Sequence, residues 1–174
     1  MPVTEFVTFR LKAPYTLDNG EVRSNFQKLS SLQSKWSKSP LTFYTARDDP
    51  SVIHLLSGWD DVPAHMKWVE SEGNQTLIRL FDPILSIVDF THLEIDFAAI
   101  PSDTELLVYR KGVADVGEEI SSKIFDAQPE GVKLWSGQGK AVDGTEVYHL
   151  MAYRNFDFET TPDQQWKFMR RIYS

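Results

Sequence analysis

The stretch TEFVTFR at residues 4–10 returns a hundred residues later as TELLVYR at residues 104–110, and this echo decides the predicted fold. A second echo follows each stretch in the same order, VIHLL at residues 52–56 and VYHLM at residues 147–151. Ordered self-similarity of this kind is typical of one structural unit used twice. Two copies of a half-barrel would enclose a cavity, which is where small ligands bind.

The pattern of the first half predicts the element order β-α-β-β-α-β, which is ferredoxin-like. Alternating apolar residues indicate strands, and apolar residues at helical spacing indicate helices. The predicted strands cover residues 4–12, 41–46, 51–59 and 88–97; the predicted helices cover residues 24–39 and 61–71, the second continued by an apolar face to residue 85.

The second half starts in the same way and is predicted to end early. A strand at residues 105–111, a helix at 116–125, a hairpin at 131–153 across Asp143-Gly144 and a terminal helix at 162–173 leave no fourth strand. The fold class is therefore α+β: residues 1–100 and 101–174 form two ferredoxin-like repeats of one α/β barrel, the second truncated. An open sheet edge favours pairing with a second copy, so we expect a homodimer.

Composition narrows the classes of function. A net charge of −7 disfavours nucleic acid as a partner, because phosphates would be repelled. No apolar run of membrane-spanning length and no charged-then-apolar leader are visible. The absence of cysteine excludes disulfides, thiol catalysis and iron–sulfur clusters. We therefore expect a cytoplasmic protein that acts on a small molecule, without membrane contact.

Histidines are the first candidates for chemistry, because their pKa lies near neutrality. His54 and His149 lie mid-strand in apolar runs, at matching places in the second echo. A polar group there must be hydrogen-bonded or face a wet cavity, so each is either a satisfied core residue or a cavity base. His92 shares a strand face with Phe90 and Glu94. If the opposite apolar face packs on helices, His92 and Glu94 look into the barrel as a base and its orienting carboxylate. The alternative is a surface pair.

Three further side chains are candidates for binding the substrate. Arg10 closes the first echo and could hold a carboxylate or enolate oxygen, although a salt bridge between elements is the alternative role. Tyr44 and Tyr109 lie in strands, where a phenol either donates to a carbonyl oxygen or packs. Metal-ligand spacings and glycine-rich phosphate loops are not seen, so no metal or cofactor is predicted.

The stretch LLSGWDDVPAHMKWVES at residues 55–71 resembles the strand-to-helix signature of the dimeric α/β-barrel superfamily. Antibiotic-biosynthesis-type monooxygenases carry that signature, as do many fungal proteins encoded beside polyketide pathways. The resemblance implies a barrel with outer helices and a substrate in its lumen. His54 matches a histidine of a plant polyketide cyclase of this superfamily; Asn74 stands where that cyclase has a second histidine.

These observations lead to three functional hypotheses. The first is a cofactor-free enzyme of specialised metabolism, which uses acid–base chemistry to cyclise, condense or join an enolisable polyketide-like substrate. The second is a cofactor-independent monooxygenase, in which a substrate carbanion reacts with oxygen. The third is a non-catalytic small-molecule binder or stress protein, in which the histidines are core residues.

Overall fold

The computed structural model describes residues 1–113, 132–154 and 166–173, and shows an α+β fold. Its elements in chain order are β1 (Val3–Leu11), α1 (Gly20–Ser37), β2 (Leu41–Ala46), β3 (Val52–Trp59), α2 (Val62–Val69), α3 (Glu72–Phe81), β4 (Leu85–Leu93), a 3₁₀ turn (Phe97–Ala99), β5 (Leu106–Val113), β6 (Val132–Lys140), β7 (Glu146–Arg154) and β8 (Lys167–Tyr173). The helix predicted at residues 116–125 lies outside the described residues.

The eight strands form one curled antiparallel sheet in the order β4-β1-β3-β2-β8-β5-β7-β6. The order of the first four strands recurs in the second four, each set having its first strand between its third and fourth. The sheet is curled into a half-barrel. Within the described residues, its two edges meet at one end only, through a single bridge between Leu93 and Ala141. The N–H of Val142 donates to the carbonyl of His92 beside that bridge.

The curl gives the sheet an inner and an outer face. Alternation along each strand sends one set of side chains inward, where Phe6, Tyr44, Leu56, Leu107 and Leu150 belong to a packed interior cluster. The outer face of the first four strands packs against α1, α2 and α3. The barrel interior is therefore filled by side chains, and the helices cover the other side of the sheet.

The helices begin where the sequence provides caps. Asn19, Asp61 and Ser71 are the N-caps of α1, α2 and α3, and each side chain accepts a hydrogen bond from a backbone N–H of the first turn. In α1, Val22 and Phe26 lie on the buried face, one turn apart. Within the described part of the chain, no helix is both long and apolar enough to span a membrane.

The predicted terminal helix is wrong where the structure describes it. Residues 167–173 form strand β8, which pairs with β2 on one side and β5 on the other. Trp166, Met169 and Tyr173 have helical spacing, but Met169 packs in the barrel interior and Trp166 on the outer face of the sheet. Because β2 and β5 both need a partner, β8 fills the gap between them. The truncation of the second half is thus incorrect, and the open edge behind the homodimer prediction is occupied.

The two sequence echoes are out of phase with the sheet. Phe6 faces the barrel interior, whereas its echo Leu106 lies in the outer cluster. In the sheet Thr8 pairs with His54, whereas Val108 and His149, which match them in the echoes, pair with Met151 and Arg110 instead. The echoes are therefore offset from the equivalent positions of the sheet. Because side chains alternate between faces, one residue of offset sends every matched side chain to the opposite side.

Candidate active site

A cavity of about 550 Å³ lies between the outer face of β1, β3 and β4 and the three helices. Its wall is mostly apolar, with Phe26, Leu55 and Leu77 among the lining residues. Two buried titratable groups, Glu5 and His65, interrupt that apolar wall. A mostly apolar pocket with a few convergent polar groups is the usual form of a small-molecule site.

Glu5 is the central group of this candidate site. It projects from the outer face of β1, between the core residues Val3 and Val7. Its Oε2 atom accepts hydrogen bonds from Gln33 Nε2 at 2.7 Å and from Trp59 Nε1 at 2.9 Å. Burial raises the pKa of Glu5 to about 7, although both hydrogen bonds act to lower it. A carboxyl group with that pKa exchanges protons readily near neutral pH.

Two histidines extend from Glu5 in a line. His65 Nε2 lies 3.5 Å from the free Oε1 of Glu5, and His65 Nδ1 lies 2.7 Å from His92 Nε2. The Trp59 ring stacks on the His65 ring with centroids 4.4 Å apart, which holds His65 in orientation. Burial lowers the pKa of His65 to about 3, and His92 acts in the same direction. Burial also lowers the pKa of His92, so both imidazoles are neutral at physiological pH.

Local structure explains how these groups meet. Glu5 and His92 are direct neighbours across β1 and β4, so their side chains leave the same face side by side. The N-cap Asp61 fixes the start of α2, because its carboxylate accepts the N–H of Ala64. The next residue, His65, is thereby positioned over Glu5 and His92.

The predicted role of His92 changes in one respect. The sequence correctly places Phe90 and His92 on the face opposite Leu93, but the face that packs on the helices is the one with His92, while Leu93 lies in the barrel interior. Glu94 is exposed and is not the partner of His92. The carboxylate of the site is Glu5, reached through His65.

Three of the predicted site residues lie together, but in the packed interior. His54 is cross-strand partner to Tyr44, bonds Thr8 Oγ1 through Nδ1 at 3.0 Å and contacts the ring of Tyr109. Burial lowers the pKa of His54 to about 4 and raises that of Tyr109 to about 12. Tyr44 is also buried, which raises its pKa. These side chains lie on the other side of the sheet from Glu5.

The remaining two predicted residues belong to neither group. Arg10 lies at an exposed strand end, where it pairs with Asp49 at 2.7 Å, so the salt-bridge alternative is the observed one. His149 alternates with Tyr148 and Leu150, which face the interior, and therefore lies on the outer face. It is not the structural mate of His54.

Sequence reasoning missed Glu5, Gln33, Trp59 and His65. His65 lies in the first turn of its helix, which is usually exposed to solvent, but it is buried. One signal was available for Glu5. All the remaining outward positions of β1 are apolar, so a carboxyl group among them must be paired or must have a raised pKa. Among the described residues, no group of three histidine, aspartate or glutamate side chains is placed to hold a metal ion.

Solved structures share this fold. A putative monooxygenase from Fusobacterium nucleatum matches with a TM-score of 0.58 and 12% identity, over 88% of this chain and 76% of its own. A putative monooxygenase from Lactobacillus acidophilus matches with a TM-score of 0.56 and 11% identity, over 98% of this chain and 93% of its own. An anthrone oxidase-like protein matches with a TM-score of 0.55 and 12% identity, over 99% of this chain and 92% of its own. No family model and no curated protein matches the sequence. At these identities the likeness is one of fold.

Proposed function

We propose that this protein is an enzyme that removes a proton from an apolar, enolisable substrate, with Glu5 as the general base. The observation that carries the proposal is a fully buried carboxyl group, with a pKa of about 7, in the wall of a mostly apolar cavity. An efficient base has a pKa near the working pH. Perturbed pKa values in clefts are concentrated at catalytic sites, so the site favours catalysis over binding alone.

The reaction we place first is cofactor-independent oxygenation. Its support is the shape of the site together with the names of the fold neighbours, putative monooxygenases and an anthrone oxidase-like protein. For an anthrone, Glu5 would take one proton from the ring methylene, and the electron pair left on carbon would reduce oxygen. The new C–O bond gives a hydroperoxide at that carbon, and loss of the second methylene proton then breaks the O–O bond. One oxygen atom becomes the new carbonyl and the other leaves as water, so that the anthrone and O₂ give the quinone and H₂O.

Cyclisation or condensation of a polyketide chain would use the same base. Such a chain carries several carbonyl groups, each of which needs a donor when it is desolvated. The buried polar groups of the cavity are concentrated around Glu5, with Gln33 and His65 beside it. A flat, mainly apolar substrate with one acidic position fits that distribution better.

The proposed reaction is tested with anthrone itself. We expect oxygen uptake and quinone formation by the purified protein in the presence of a chelator and without flavin. The blank is the same solution without protein, because anthrone oxidises slowly by itself in base. Anthrone that binds to the protein, as measured by quenching of its tryptophan fluorescence, yet is oxidised only at the blank rate would contradict oxygenation.

A mutation inside the barrel separates this site from the one expected from the sequence. We expect His54→Gln to reduce the free energy of unfolding by roughly 1–2 kcal/mol, because the hydrogen bond to Thr8 and the contact with Phe6 are lost. Turnover by the remaining folded protein should stay within about twofold of wild type. Urea unfolding and the oxygen assay measure the two quantities. Loss of turnover without loss of stability would indicate that the catalytic base lies in the barrel interior, at His54, and not at Glu5.

A further inference from the structure

The Glu5–His65–His92 line has two self-consistent hydrogen-bond arrangements. A neutral imidazole has one N–H and one bare nitrogen, and a single hydrogen lies between His65 Nδ1 and His92 Nε2. The direction of that hydrogen bond therefore decides what His65 Nε2 presents to Glu5 Oε1, 3.5 Å away. It also decides whether His92 Nδ1 carries a hydrogen.

In the first arrangement Glu5 is ionised. His65 Nε2–H then faces the carboxylate, His92 Nε2–H donates to His65 Nδ1, and His92 Nδ1 is bare. In the second arrangement Glu5 carries a proton on Oε1, which faces a bare His65 Nε2. His65 Nδ1–H then donates to His92 Nε2, and the hydrogen of His92 moves to Nδ1. The second arrangement holds one proton more than the first, and both imidazoles stay neutral.

The proton of Glu5 is assigned to Oε1 by its neighbours. Gln33 Nε2–H and Trp59 Nε1–H both donate to Oε2, so that oxygen already accepts two hydrogen bonds. His65 is the neighbour of the other oxygen. The 3.5 Å separation exceeds a normal hydrogen bond, so the two groups must approach by about half an ångström for a bond to form, as catalytic groups in empty sites commonly do.

We infer that His92 is a positioning residue that acts on Glu5 through His65: the protonation of Glu5 and the tautomers of both imidazoles change together. His92 Nδ1 is buried and has no hydrogen-bond partner among the described residues. A buried, unpaired N–H is rarer in proteins than an unpaired acceptor. The arrangement with bare Nδ1, and hence ionised Glu5, is thus favoured by the surroundings of His92 and keeps the base ready.

The charged groups around the line are few in the described chain. Asp143, in the turn between β6 and β7, acts on His92 and raises its pKa, opposing the effect of burial. Lys12 and Asp82 line the same cavity. Lys12 is seven residues beyond Glu5 and one past the end of β1, which corresponds to roughly 23 Å. Among the described residues, His65 is the titratable side chain that lies beside Glu5, with Nε2 3.5 Å from Oε1.

The inference rests on the proposed role of Glu5, but its test needs no substrate. We would determine the tautomers of His65 and His92 from imidazole nitrogen NMR shifts of the whole chain, at about pH 9, where Glu5 is ionised. The comparison is between wild type and Glu5→Gln. The amide oxygen must take the place of Oε2, because two N–H groups point there. The amide NH₂ then faces His65 Nε2 and should impose the second arrangement.

The expected result is His92 with a bare Nδ1 in wild type and with Nδ1–H in Glu5→Gln. Glu105→Gln is the matched control, because Glu105 is exposed and should leave both tautomers unchanged. Identical tautomers in wild type and Glu5→Gln would overturn the inference, as would an imidazolium in either protein. A protein that switches tautomers but oxidises no anthrone would instead contradict only the proposed function.

Discussion

Glu5→Gln is expected to lower kcat for anthrone oxidation by roughly 10²-fold or more, because an amide cannot accept the substrate proton. The substitution keeps the size of the side chain and an oxygen for the bonds from Gln33 and Trp59. The fold should therefore persist, and the loss should appear in turnover rather than in the amount of folded protein. Oxygen uptake at saturating anthrone, with circular dichroism on the same sample, measures both.

Glu105, which matches Glu5 in the stretch TELLVYR at residues 104–110, provides the matched control. Glu105→Gln makes the same chemical change at an exposed position of the same sequence motif, and we expect wild-type turnover. Equal rates for Glu5→Gln and Glu105→Gln would remove Glu5 from the mechanism. Equal losses in both would point to an effect of charge on the whole molecule.

The second large effect concerns stability as a function of pH. The pKa of Glu5 is about 7 in the folded protein and 4.5 in its ordinary state, so between these values the folded protein holds a proton that the unfolded chain has released. The stability that Glu5 contributes is fully present below pH 4.5 and is lost as the pH rises to about 7. The corresponding change is roughly 3 kcal/mol.

Histidines act in the opposite direction over part of this range. Their folded-state pKa values are lowered, to about 4 for His54 and about 3 for His65, so they destabilise the folded protein as the pH falls below 6.5. The contribution of the histidines largely cancels in the difference in unfolding free energy between Glu5→Gln and wild type, because both proteins retain these histidines. Urea unfolding at several pH values measures the free energy of unfolding. Relative to wild type, that of Glu5→Gln should rise by roughly 3 kcal/mol from pH 4.5 to above 7. A difference that does not change with pH would show that Glu5 titrates normally.

Local patterns predicted most strands and helices of the first half, although β4 begins three residues before the predicted strand and ends four residues before its predicted end. Alternation and caps such as Asp61 are local signals, and they place β1, β3 and α2 close to their observed bounds. The failure at β8 has a physical reason. The apolar spacing of Met169 and Tyr173 also suits a helix, and the residues that decide the matter are in β2 and β5, far away in the chain.

The site was harder to predict than the fold, because its members come from five elements. Along the chain, Glu5 is 28 residues from Gln33 and 54 residues from Trp59, and His65 is 27 residues from His92. Alternation correctly placed His92 opposite Leu93, but it cannot say which face of a strand meets the helices. The echoes added a misleading equivalence of His54 with His149, because an offset of one residue reverses the face of a strand.

The central claim is that a buried base with a pKa near neutrality lies in the cavity wall, and a carboxyl titration tests it most directly. Protein labelled with ¹³C at the glutamate carboxyl carbon would be titrated by NMR, and the signal absent from Glu5→Gln assigns Glu5. The account predicts a midpoint at about 7 for this signal alone. A midpoint near the ordinary value of 4.5 would contradict it, because Glu5 would then be a structural carboxylate and too weak a base for the proposed reaction.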